Sequence, residues 1–219
     1  SPAYVPHNWR GFPDFGCGAV GHMGCHILGT PNLAMRLTAP TSVECIKQEG
    51  KSKHTFPLQS GTRFDFPARE TMPALKLFWH DGRATVPEFP GIPAGELLGD
   101  KDINGSLFIG DKGMVTTGCY GERTRLMPDA KMKDYKLPPQ LLTRSPGHYR
   151  DWIRACKGGD PACSNFSVAA PFVQWMLLGV IAMKFEGKLE WDAQKMKITN
   201  RPEANEYLKP KFRKGWKFA

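Results

Sequence analysis

His22 and His26 stand four residues apart in the stretch GAVGHMGCHILG, beside two cysteines and a run of glycines. A neutral imidazole can accept a proton near pH 7, so this spacing is suited to acid/base work on a polar substrate. On a helix the two rings lie about 40° apart on one face, one turn above the other, and can act on one bound molecule. Arg10 and Asp14, just upstream, add charges that can hold polar groups. His148, followed by Tyr149 and Arg150-Asp151-Trp152, is a further candidate to face a cleft. The competing structural reading makes His22 or His26 a hydrogen-bonded core histidine and gives His148 a surface or capping role.

Other chemistries fit less well. An H-x-x-x-H pair with Cys17, Cys25 or Asp14 as third ligand has the donors for zinc, but the peptidase helix needs Glu directly after the first His, and Met23 is there. Cys25 and His26 point about 100° apart on a helix, a poor geometry for a nucleophilic pair. Gly16-Cys17-Gly18-Ala19-Val20-Gly21 matches the dinucleotide pattern G-x-G-x-x-G by letter. A working fingerprint also needs an apolar strand leading to its first glycine. The stretch Trp9 to Phe15 contains Arg10, Pro13 and Asp14 and no Val or Ile, which is no core strand. The glycines are therefore read as letting a loop turn tightly into a helix.

The elements that must position these residues follow from periodicity. Residues 1–17 read as an ordered loop, and Gly18 to about Leu37 as one helix broken near Gly29-Thr30-Pro31 or as two short ones. Period-two alternation predicts strands at Ser42–Ile46, Thr62–Phe66, Ala74–Trp79, Ser106–Gly110, Met114–Thr117 and Thr124–Met127, with turns at 80–82 and 110–113. Thr85–Asn104, punctuated by Gly and Pro, reads as a surface loop. Helices are predicted from about Gly147 to Lys157 and from about Phe166 to Phe185, the second capped by Ser164 or Asn165, and a last strand at Gly187–Asp192. Asp160, Trp191 and Asp192 are read as turn and core residues.

Composition narrows the function classes. The 219 residues are 41% hydrophobic, enough for a substantial core, and no apolar run reaches the length of a membrane span. The net charge of +9 is concentrated at one end, since residues 195–219 hold eight basic and two acidic residues. Such a segment reads as a solvated tail or docking arm, and no nucleic-acid-binding module is visible. Six cysteines are sparse for a disulfide scaffold, and free buried thiols are the expectation. The chain opens on Ser1-Pro2 with no leader pattern, so a removed leader or a larger N-terminal portion is expected, and the compartment is not readable.

The segments Asn8-Trp9-Arg10-Gly11, Asp14-Phe15-Gly16, Gly18 through His26 and Ala39-Pro40-Thr41-Ser42-Val43 resemble the start of the C-terminal domain in Gfo/Idh/MocA oxidoreductases of the bacterial branch. His148 through Gly159, Ser164-Asn165-Phe166, Gly187 through Asp192, and Tyr207-Leu208 to Trp216 are similar to the same branch in order and spacing. The resemblance implies an α+β fold, an open and mainly antiparallel β-sheet with helices packed on one face, and a homo-oligomer formed through the exposed sheet face. It implies one substrate-binding and oligomerisation domain over residues 1–219, with the N-terminal Rossmann domain lying outside this chain. NAD or NADP would be bound mainly by that Rossmann domain, and none is expected for this chain alone.

The family's site pairs an Asp with a His four residues later. His26 matches the His and implies its role as acid/base at the hydroxyl being oxidised, but His22 stands where the Asp belongs. A second His disfavours charging its neighbour, whereas an Asp would stabilise an imidazolium. The leading expectation is oxidation of a sugar or polyol by a nicotinamide-dependent enzyme, with His26 and His22 catalytic and Trp9, Arg10, Asp14 and His148 around the substrate hydroxyls. The alternatives are redox-assisted glycoside hydrolysis or lysis on the same scaffold, and a non-enzymatic dimerisation or binding module. Burial of His22 and His26 by their own domain would favour the last. No nucleic acid or membrane partner is expected.

Overall fold

The computed structural model describes residues 5–82, 87–209 and 211–216. Two short helices, α1 (Gly18–Ile27) and α2 (Gly29–Ala34), form between residues 18 and 34, as one of the two expected arrangements, and the break falls at Leu28, just ahead of Pro31. Six strands follow: β1 (Ser42–Glu49), β2 (Gln59–Phe66), β3 (Leu75–Asp81), β4 (Gly105–Gly110), β5 (Gly113–Gly118) and β6 (Arg125–Met127). Then come α3 (His148–Cys156), α4 (Phe166–Ala182), β7 (Leu189–Asp192) and β8 (Lys197–Ile198). Chain contacts divide these into two compact units. The first comprises Ser1–Cys25, Met35–Glu88 and Trp175–Ala219, and the second His26–Ala34 and Phe89–Gln174.

The first unit is built on an antiparallel sheet in the order β3-β2-β1-β7-β8. Register explains its two faces. Phe64 sits opposite both Val43 and Leu77, and Thr62 opposite Cys45 and Trp79, so one face of the central strands is apolar. The C-terminal half of α4 covers that face, with the Trp175 ring edge-on to Phe64 and Phe66 at 5.3 and 5.2 Å. Gly179 allows the approach, because a Cβ there would stand 2.8 Å from the Phe64 ring. Helix α1 abuts α4, with a Cβ at Gly21 reaching 3.5 Å from Leu177.

The opposite face carries Ile46, Phe78 and a charge ladder. Arg63 pairs with Glu44 at 3.0 Å and Asp65 at 3.3 Å, and Lys188 lies 3.8 Å from Asp65. The fold is thus α+β with open antiparallel sheets, the class that the resemblance implies.

The second unit holds a three-stranded antiparallel meander, β4-β5-β6. Asp111-Lys112 forms the two-residue connection of the first hairpin, with Gly110 paired to Gly113. The described part of the expected surface loop, 87–104, has no helix or strand and is sewn to the sheet by side chains. The Thr116 hydroxyl accepts the Gly99 N–H at 2.9 Å, and the Arg125 guanidinium donates to the carbonyls of Gly99 and Leu97. Within α3, Asp151 is buried and accepts from Arg154 at 2.6 Å and from the Cys163 N–H at 2.8 Å, which fastens the segment after the Gly158-Gly159 turn to the helix. Asn165 caps α4 by accepting the Ser167 N–H at 2.9 Å.

Two sequence expectations change. All six thiols are free, but only Cys119 is buried, Cys45 is half-buried and Cys17, Cys25, Cys156 and Cys163 are exposed. Spacing alone could not tell a core thiol from one on an outward helical position or beside a surface turn. The basic end is also less free than a tail. Ile198 pairs with Trp191 and is fully buried, and Asn205 accepts the Ile198 N–H at 2.8 Å and donates back to its carbonyl at 2.9 Å.

Candidate functional site

Helix α1 begins at Gly18, whose φ of +67° is open to glycine, and a Cβ there would meet the Phe56 ring at 2.9 Å. Gly16 is equally committed, since a Cβ on it would come within 2.5 Å of the Arg10 backbone. The segment before it is a 3₁₀ helix, Pro6–Gly11, followed by turns, so no strand delivers the chain to the glycines. These glycines make room for the protein's own atoms. The strand that a dinucleotide loop requires is absent before Gly16 among the described residues.

His22 and His26 both lie on α1, one turn apart, and both are exposed. Val20 and Gly24 take the buried positions of the same helix. The core-histidine reading is thereby removed, because the buried stripe of α1 belongs to small and apolar residues. Cys25 is also exposed, and its thiol donates to the His22 carbonyl at 3.3 Å, a bond back along the helix. The Cys45 thiol, on the covered face of β1, is pushed above its ordinary pKa by burial, which keeps it protonated and a poor nucleophile.

The loop that leads into α1 carries Trp9, Arg10 and Asp14, all exposed. Its shape is fixed by backbone hydrogen bonds from Phe12 to Trp9 at 3.0 Å and from Gly16 to Phe12 at 2.9 Å, and the Phe56 N–H donates to Gly11 at 2.9 Å. Trp9 leans on Phe15, with ring centroids 5.8 Å apart, and is still 44% exposed, enough to present a ring surface to a ligand.

His148 is the first residue of α3, also exposed, and its ring is edge-on to Tyr149 at 5.2 Å. Among the described residues no hydrogen bond, ion pair or ring contact joins it to His26. The residue that does touch His26 is Tyr120, at 5.3 Å and 65°. Sequence reasoning missed it, since Tyr120 lies in the turn between β5 and β6 and no local pattern connects that turn to α1.

Among the described residues, no group of three or more His, Cys, Asp or Glu side chains is gathered as a metal would require. Nor is any helix long and apolar enough to cross a membrane. No family model matches the sequence, and no curated protein is significantly similar to it.

Proposed function

We propose that this chain is the C-terminal, substrate-binding half of a nicotinamide-dependent oxidoreductase of the Gfo/Idh/MocA kind, acting on a hydroxyl of a sugar or polyol. The observation that carries the reading is the exposure of two imidazoles one turn apart on α1. An acid/base pair must reach solvent-borne substrate, and a pair buried in its own helix packing could not.

In this reading His26 takes the hydroxyl proton, and His22 is its polar neighbour. Trp9, Arg10 and Asp14, on the segment that leads into α1, are assigned to the remaining hydroxyls, through ring stacking and charge-assisted hydrogen bonds. NAD or NADP would supply the hydride acceptor from a Rossmann domain outside these residues. The face of the five-stranded sheet that carries Phe78 and Ile46, each nearly half exposed, is the surface we assign to homo-oligomer formation.

In the protein that carries both domains, His26→Ala is expected to abolish turnover while leaving dinucleotide affinity intact. Unchanged turnover would sink the assignment. His22 in the place of the family's Asp favours a second reading, redox-assisted glycoside cleavage, because the carboxylate that would stabilise a charged imidazole is replaced. Product analysis separates the two: cleavage without net accumulation of reduced dinucleotide supports the second and excludes the first.

A further inference from the structure

A proton-transferring imidazole needs a fixed ring plane, because its nitrogen lone pair is directional and a rotated ring aims it away from the reacting proton. The usual device is a hydrogen bond from the second ring nitrogen to a carboxylate or carbonyl. His26 makes no such bond among the described residues, and the position one turn before it holds His22. What bears on its ring is the edge-on contact with Tyr120.

Tyr120 is 71% exposed, so burial does not hold it in place. Its turn does. The Gly118 N–H donates to the Glu122 carbonyl at 2.7 Å, the Gly121 N–H to the Gly118 carbonyl at 3.1 Å, and the Tyr120 N–H to the Glu122 carboxylate at 2.8 Å. The Thr124 hydroxyl closes the far side on the Gly121 carbonyl at 2.9 Å. Gly121, with φ of +86°, lets the turn press on α2, where a Cβ would stand 2.9 Å from the Thr30 hydroxyl.

The same sheet grips the end of α1, since Ser106, the register partner of Thr117, donates to the Ile27 carbonyl at 3.2 Å. The backbones that carry both rings are therefore fixed to one small body, and the rings meet at 5.3 Å. We propose that Tyr120 is the positioning residue of His26, holding the imidazole plane by ring packing in place of a hydrogen-bonded carboxylate and leaving both nitrogens open to substrate. The inference rests on the acid/base reading for its purpose, but its test does not use activity.

Side-chain ¹³C relaxation of the His26 ring in this chain reads the effect directly. In the wild type, cross-relaxation between the His26 and Tyr120 ring protons is expected, with a ring order parameter near the rigid value of about 0.85. Tyr120→Phe should keep both, and Tyr120→Ala should drop the order parameter below about 0.6 while the His22 ring is unchanged. A His26 ring equally rigid in Tyr120→Ala, or no cross-relaxation in the wild type, would overturn the proposal. Either result leaves the turnover of His26→Ala to decide the acid/base reading separately. A distorted turn in Tyr120→Ala would show in its backbone amide spectrum, and the wild-type cross-relaxation and the Tyr120→Phe comparison then decide.

Discussion

Single residues show how far type and spacing reach. His22 and His26 were legible because a four-residue interval on a helix fixes a shared face, whatever the rest of the chain does. Their exposure was not, because it depends on what the opposite side of α1 packs against. Tyr120 was invisible for a stronger reason: its contact with His26 exists only once β5 and β6 have paired. Asp192 lies between these cases. Its side chain accepts the Lys195 N–H at 3.0 Å and lies 3.2 Å from the Lys195 ammonium, so hydrogen bonding holds its carboxyl below the ordinary value. A lowered carboxyl pKa contributes stability above the unfolded value, and that contribution is lost as pH falls through the folded value. Asp192→Asn is therefore expected to lower the melting temperature slightly near neutral pH and to flatten the acid side of its pH profile below about pH 4, as followed by circular dichroism.

Elements were read well where one interaction dominates. The alternating strands came out in place because a period of two admits a single face assignment, and β2 with Phe64 and Phe66 buried is the clearest case. The glycine-rich entry to α1 was rejected as a cofactor loop on its missing strand, and the packing of Gly16 and Gly18 supplies the reason those glycines are there. Gly18→Ala meets both a positive φ and the Phe56 ring, and is expected to destabilise the fold by about 1–3 kcal/mol. Denaturant unfolding checks this; an unchanged midpoint would show that the loop has slack. The basic end was read in part, since its described lysines and arginines are exposed. Charge density marked it as solvated, but one buried side chain, Ile198, outweighs several lysines in deciding whether a segment joins a sheet.

At the scale of the whole molecule, the five-stranded sheet has a face on which Phe78 and Ile46 are nearly half exposed, with Phe78 stacked on His80 beside the Arg63, Glu44 and Asp65 ladder. The paired charges lie on the central strands β1 and β2 of that face, and Phe78 on the edge strand β3. If that face forms the oligomer contact we assign to it, Phe78→Lys should convert an associating wild-type protein to monomer in sedimentation velocity, at little cost to the fold because Phe78 is 48% exposed. A monomeric wild type would remove that surface from the proposal. The sequence by itself determined the α+β class, the positions of the main strands and helices, and the two histidines on one helical face, because all of these follow from local period and spacing. Only the tertiary structure decided that those histidines are exposed, that the glycines before them pack on their own chain, and that Tyr120 stands against His26. Each of these depends on which distant segments meet, and that is set by the sum of long-range burial, which no short stretch of sequence contains.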